Sequence, residues 1–270
     1  MSNFLKHHGI PGQTWGIRNG PPYPLSRRRS IDSQLFNRTV GIVKSKCSNS
    51  AQPFKKEPMD LKTAAERGQL NRSDVAKCAK LASNIFDHAS EKEPEITQDM
   101  TDAARKTGSK MYGLEYRLKQ PTSIAAKIGA DAKEDGVSFS SAAKGIKDAV
   151  RYTVVSDDSS YASSYKNVAS YLASKGYTES RCKNNFTAYK EGKILHKSIQ
   201  SVFQDPSGYK FEVQFQTPSS QAAKELKIPI YEERRRAGIT PKRQKELEKQ
   251  MVDLAEMVKN PKGVYLIKSH

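Results

Sequence analysis

The nine residues Tyr209-Lys210-Phe211-Glu212-Val213-Gln214-Phe215-Gln216-Thr217 alternate apolar and polar side chains. In an extended strand Phe211, Val213 and Phe215 face one way, and Glu212, Gln214 and Gln216 the other. No helix places apolar residues at every second position, so this segment commits the chain to a sheet with a face to be covered. Asp205-Pro206-Ser207-Gly208 just before it is a turn signal. Ala149 to Val155, rich in β-branched and aromatic residues, predicts a second strand. Strand-like stretches also lie at Tyr177–Arg181, Phe186–Tyr189 and Ile194–Gln204.

Helical periodicity surrounds these strands. Asp60 to Glu66 opens with a cap. Ser73, another candidate cap, precedes Asp74 to Phe86, and Pro94 to Tyr116 predicts a separate helix with Pro94 in its first turn. Tyr161 to Lys175 carries Tyr165, Val168, Ala169 and Leu172 on one stripe and stops at Gly176. Two helices close the chain, Ser219 to Arg236 and Thr240-Pro241 to about Lys259; Glu232 to Arg236 form a charged face, with Tyr231 packing inward. The expected fold class is therefore α+β, a mixed sheet of four or five strands with flanking helices.

Composition narrows the partners. Of 270 residues, 46 are Lys or Arg and 29 Asp or Glu, a formal charge of +17 that favours a polyanion. No run approaches the roughly 18 apolar residues of a membrane span, and Met1 to Arg18 holds no secretory h-region. Cys47, Cys78 and Cys182 are odd in number and far apart, which points away from a disulfide framework or a zinc site. Residues 1–60 hold ten Lys or Arg against three Asp or Glu, six prolines and no lasting periodicity. They are expected to be a basic, irregular arm, either a solvated tail or a contact for DNA or a capsid surface. The remaining boundaries are a domain over 61–262, with a helical lead-in at 61–116, a core at 113–236 and a last helix at 240–259.

Two carboxylates stand out. Asp148 immediately precedes one predicted strand, and Glu212 lies in another able to pair beside it. Brought together they suit Mg²⁺, a hard cation that takes oxygen ligands and neutralises phosphate. Upstream, Tyr116 to Lys127 supplies Arg117, Lys119 and Lys127 with Thr122 and Ser123, and Pro121 followed by Thr122 and Ser123 suggests a loop entering a helix at Ser123. Cations beside a helix N-terminus suit phosphate.

Four motifs in register resemble the synthetase domain of RelA/SpoT-type alarmone synthetases, over Gly113 to Arg236. They are Arg117-x-Lys119-x-x-x-Ser123-Ile124-x-x-Lys127; Ile146-x-Asp148; a loop with Tyr189 and Gly192 before a strand; and Gly208-x-x-x-Glu212-x-Gln214-x-x-Thr217. The resemblance implies a nucleotidyltransferase-like fold, Mg²⁺ as cofactor and ATP as pyrophosphate donor. It implies ATP-phosphate binding by Arg117, Lys119, Ser123 and Lys127, metal binding by Asp148 and Glu212, and activation of an acceptor 3′-hydroxyl by Glu212. Tyr189, Gln214, Arg151 and His196 would meet the acceptor, a guanine or adenine nucleotide or a tRNA 3′ end. The chain departs from the family at Thr153 and Gln216, where Arg is usual, and at Gly192, which no Tyr follows. Arg151-Tyr152-Thr153, Thr217-Pro218-x-Ser220, Lys224 and Tyr231-Glu232-x-x-Arg235 resemble a divergent branch seen in phage head-associated proteins and toxins. The opening His7 to Arg18 resembles phage virion-associated proteins. Together these imply the host cytoplasm or the virion as location, with a non-catalytic head-associated protein as the alternative to the enzyme.

Overall fold

The computed structural model describes residues 32–51, 53–192, 196–234 and 239–270. In chain order, α1 is Ser33–Lys46, α2 Leu61–Gly68, α3 Arg72–Lys106, β1 Lys110–Met111, α4 Pro121–Asp135 and α5 Phe139–Lys144. There follow β2 Arg151–Val155, α6 Tyr161–Ser174, β3 Thr178–Asn184, the single turn α7 Asn185–Ala188, β4 Ile199–Gln204, β5 Lys210–Gln216, α8 Pro218–Arg234 and α9 Pro241–Glu256. The sheet order is β1-β2-β5-β4-β3. β2 and β5 run parallel, and every other pairing is antiparallel. The α+β mixed sheet with flanking helices is thus present, with five strands.

Alternation in β5 divides the molecule. Phe211, Val213 and Phe215 join Tyr152, Phe203 and Tyr161 in the core. Side chains of this size contribute about 1.5–3 kcal/mol each when fully buried. The helices α3 and α6 cover this face: Tyr152 Oη lies 2.7 Å from Thr97 Oγ1, and Tyr161 Oη donates to Phe215 O at 2.8 Å. Register puts Arg151, Glu212, Val202 and Arg181 in one row across the opposite face, with Thr153, Gln214, Gln200 and Lys183 in the next. α8 crosses that polar face over β5, and α1 and α9 pack on α8.

Both sheet edges are paired in part. Beside β1, Ser48 N donates to Met111 O at 2.8 Å and Asn49 Oδ1 accepts from Met111 N at 2.9 Å. Beside β3, Cys182 and His270 exchange two backbone hydrogen bonds of 2.9 Å. The paired stretches offer no template to another chain.

The sequence expectation differs from the structure in five places. Residues 33–46 of the expected irregular arm form a helix, capped by Asp32 and anchored by buried Phe36 and Val43. A stripe of so few apolar residues becomes a helix because α8 is there to receive it. Residues 1–31, with His7 to Arg18 and the Arg27–Arg29 run, lie outside the described residues. The two helices expected across 73–116 are one, Arg72–Lys106, which passes through Pro94 and ends before β1; its cap is Asn71, not Ser73. Phe186–Tyr189 forms a helical turn rather than a strand, because Asn184 Oδ1 accepts from the Phe186 and Thr187 amides. Tyr231 is 47% exposed rather than packed inward, while Glu233 and Arg234 beside it bridge to Arg243 and Glu248 of α9.

Candidate active site

Backbone pairing assembles the site. Arg151 N donates to Arg117 O at 2.8 Å and Lys119 N to Ala149 O at 2.9 Å, so residues 117–119 run beside 149–151. That places Lys119 against Asp148: Nζ donates to Oδ2 at 2.6 Å, and both side chains are largely buried. Burial drives the Lys119 ammonium below its ordinary range, against the pull of Asp148. For Asp148 burial acts upward, but Lys119 and then Arg151 outweigh it and hold the carboxyl low. Its other oxygen, Oδ1, is buried with no hydrogen-bond partner.

Glu212 enters through the parallel pairing of β2 and β5, in which it sits opposite Arg151 and its N–H donates to Val150 O at 3.1 Å. Lys127, nearly two turns into α4, feels both carboxylates. Burial opposes its charge, but Asp148 foremost, then Asp131 and Glu212, hold its pKa above the ordinary lysine value. It also pairs with Asp131 at 3.0 Å. Ser123 sits in the first turn of the same helix with its Oγ buried and unpartnered. Pro121 occupies the first turn and no side chain caps it; the Ser123 and Ile124 amides both donate to Gln120 O, at 2.9 and 3.1 Å. Asp148, Glu212, Lys119, Lys127 and Arg151 thus come from one neighbourhood, and Ser123 lies one turn before Lys127 on α4.

The other expected residues are placed differently. Arg117 is buried and engaged by Glu93 of α3 through Nε, while Nη1 donates to Leu114 O at 2.9 Å. Glu93 also holds Thr97 and so joins the Tyr152 cluster. Gln214 donates through Nε2 to Glu212 Oε1 and accepts at Oε1 from Lys224 Nζ at 2.6 Å. Gln216 is fully buried; Ser220 Oγ donates to its Oε1 at 2.6 Å, and its amide nitrogen lies 2.8 Å from His196 Nε2. His196 Nε2 also lies 3.0 Å from the Gln216 oxygen, so the imidazole meets the amide group whichever ring nitrogen carries the proton. Burial, with Lys224 and Lys227 nearby, lowers the His196 pKa to about 3. Tyr189 lies apart in its described contacts: Lys197 Nζ sits 4.3 Å from its ring centre, and its charged neighbours are Glu256 and Glu191.

Three participants are given no site role by the sequence. Glu93 is one carboxylate in a helix of many charges. Lys224 enters the sequence reading only within the divergent-branch resemblance and without a role; its place between Ala222-Ala223 and Leu226 is the local signal of burial. Residues 55–60 form a strap over the start of α4: Gln120 Nε2 donates to Lys55 O at 2.9 Å, and Asp60 N to Thr122 Oγ1 at 2.9 Å.

The donor set suits a hard cation. A buried carboxylate oxygen without a partner, beside a second carboxylate on the neighbouring strand, is an oxygen-ligand environment. Among the described residues no group of three or more His, Cys, Asp or Glu forms a metal cluster. A magnesium ion here would therefore complete its shell with water or substrate phosphate. No helix among the described residues is long and apolar enough to cross a membrane.

No protein-family model and no curated protein matches the chain. Among solved structures, it is similar to the Type VI effector Tas1, seen in complex with its immunity protein, with a TM-score of 0.42 and 14% identity over 66% of this chain and 96% of that one. It is also similar to small alarmone synthetase 1 from Bacillus subtilis bound to its product pppGpp, with a TM-score of 0.42 and 13% identity over 64% and 88%. A second structure of that synthetase gives a TM-score of 0.37 and 17% identity over 52% and 72%.

Proposed function

We propose that the chain transfers pyrophosphate from ATP to the ribose 3′-hydroxyl of a nucleotide or a tRNA end. The observation that carries this reading is the pairing of Asp148, bound to Lys119 on one oxygen and unpartnered on the other, with Glu212 on the adjacent parallel strand. Lys127 and Ser123 at the start of α4 would take the donor phosphates, with Lys119 as a fixed charge behind them. Arg117 would support them from its place against Glu93. In the reaction the acceptor 3′-oxygen attacks the β-phosphorus, the bond from that phosphorus to the α,β-bridging oxygen breaks, AMP leaves, and the hydroxyl proton passes to Glu212. Such chemistry needs alignment and charge neutralisation more than a covalent intermediate. Mg²⁺ held by Asp148 and Glu212 would supply Lewis-acid neutralisation of phosphate charge. Arg151 faces the acceptor side in register with Glu212, compensating in part for Thr153 and Gln216. Tyr189 remains a proposed acceptor contact.

The test is incubation of the folded chain with Mg²⁺ and β/γ-labelled ATP, offering GDP, GTP, AMP, ADP and bulk tRNA separately. Label passing to one acceptor, with Glu212→Gln reducing the rate at least about 100-fold, is the expected result. Absence of transfer to every acceptor by folded protein overturns it.

A further inference from the structure

Glu212 does not stand alone on the polar face. Gln214, only 6% exposed, uses both ends of its amide: the nitrogen donates to Glu212 Oε1, and the oxygen accepts from Lys224 Nζ of α8 at 2.6 Å. An amide can usually turn over and exchange its two ends. Here it cannot, because a lysine amine donates and a carboxylate only accepts. Lys224 and Glu212 therefore fix the two ends of Gln214 between them, with Lys224 as the anchor on the oxygen.

We propose that Lys224 is a positioning residue: by fixing Gln214 it holds Glu212 Oε1 and leaves Oε2 to receive the acceptor's proton. Removal of Lys224 leaves the amide oxygen without its donor, so the side chain loses its second anchor and its N–H is free to leave the carboxylate. A donor on the amide oxygen also strengthens the N–H that grips Glu212. The charged groups around this relay are Arg151 of β2, Lys127 of α4, Asp148 before β2, Glu225 and Lys227 of α8, and His196 before β4. Burial and Arg151 depress the Lys224 pKa, while Glu225 and Glu212 favour its charge. Its amine donates in either protonation state. The catalytic part of this inference rests on the proposed transfer; the relay itself does not.

The experiment compares Lys224→Met and Lys224→Arg with the wild-type chain. The Gln214 side-chain amide is followed by ¹⁵N NMR, its signal assigned through Gln214→Leu, alongside kcat and the KM for ATP. The wild type is expected to show a protected Gln214 amide. Lys224→Met should speed its hydrogen exchange at least about tenfold and lower kcat about 10- to 100-fold at unchanged KM for ATP; Lys224→Arg should restore both. A Lys224→Met protein that keeps the protected amide and loses only thermal stability overturns the proposal, as does failure of Lys224→Arg to rescue. If the wild type transfers nothing yet loses amide protection in Lys224→Met, the relay stands and the transfer reading falls.

Discussion

At the scale of single residues, the charges of the site are held by burial and by one another. Lys119→Met leaves Asp148 largely buried without its hydrogen-bonded cation, with only Arg151 and Lys127 to offset its charge, and is expected to cost on the order of 3 kcal/mol in urea unfolding. Adding Asp148→Asn should recover part of that loss, because the uncompensated charge is then gone. His196 gives a pH signature of opposite origin. Its pKa falls from 6.5 to about 3 on folding. As pH drops below 6.5 the unfolded chain takes up the proton first, so stability is lost between about pH 6.5 and pH 3. Between pH 7 and pH 4.5 the loss from this group should reach about 2–3 kcal/mol, and His196→Gln should abolish it. The sequence named Asp148, Glu212, Lys119 and Lys127 from spacing alone. It did not show that Arg117 is tied to Glu93, a residue 24 positions away. Nor did it show that Gln214 and Gln216 on the polar face of β5 are buried.

At the scale of elements, the pattern in β5 and the turn before it were legible because they are local. Gly208, at a φ of +94°, closes that turn where a side chain would be strained. Elements held by distant partners were not legible. The turn Asn185–Ala188 and the paired edge of β3 depend on Asn184, whose Nδ2 donates to Val264 O and Ile267 O at 2.9 Å each. Asn184→Ala leaves those carbonyls without their donor and is expected to cost about 3 kcal/mol. Hydrogen exchange at the Cys182 and His270 amides should quicken more than exchange in β5, since the tail alone comes loose. The continuous α3 escaped sequence reading for a related reason. Pro94 looks like a boundary, but the buried side of this helix, with Phe86, Ile96 and Met100, rests on the rest of the core along its length. Packing then outweighs the local preference.

At the scale of the whole molecule, a formal charge of +17 on 270 residues must repel itself. Melting temperature is therefore expected to rise between roughly 0.02 M and roughly 0.5 M NaCl as the Debye length shortens. A flat or falling curve would show that ion pairs such as Arg243–Glu233 and Arg234–Glu248 already offset the excess. The sequence by itself determined the fold class and most strand and helix positions, and it proposed the carboxylates and cations of the candidate site, because periodicity, turn residues and motif spacing are properties of neighbours along the chain. Only the tertiary structure decided the parallel register that sets Arg151 against Glu212, the helix in residues 33–46, the partial pairing of both edges and the Lys224–Gln214–Glu212 relay. Each depends on partners far apart in sequence, whose meeting is fixed by burial of the apolar face of β5 and not by any local preference.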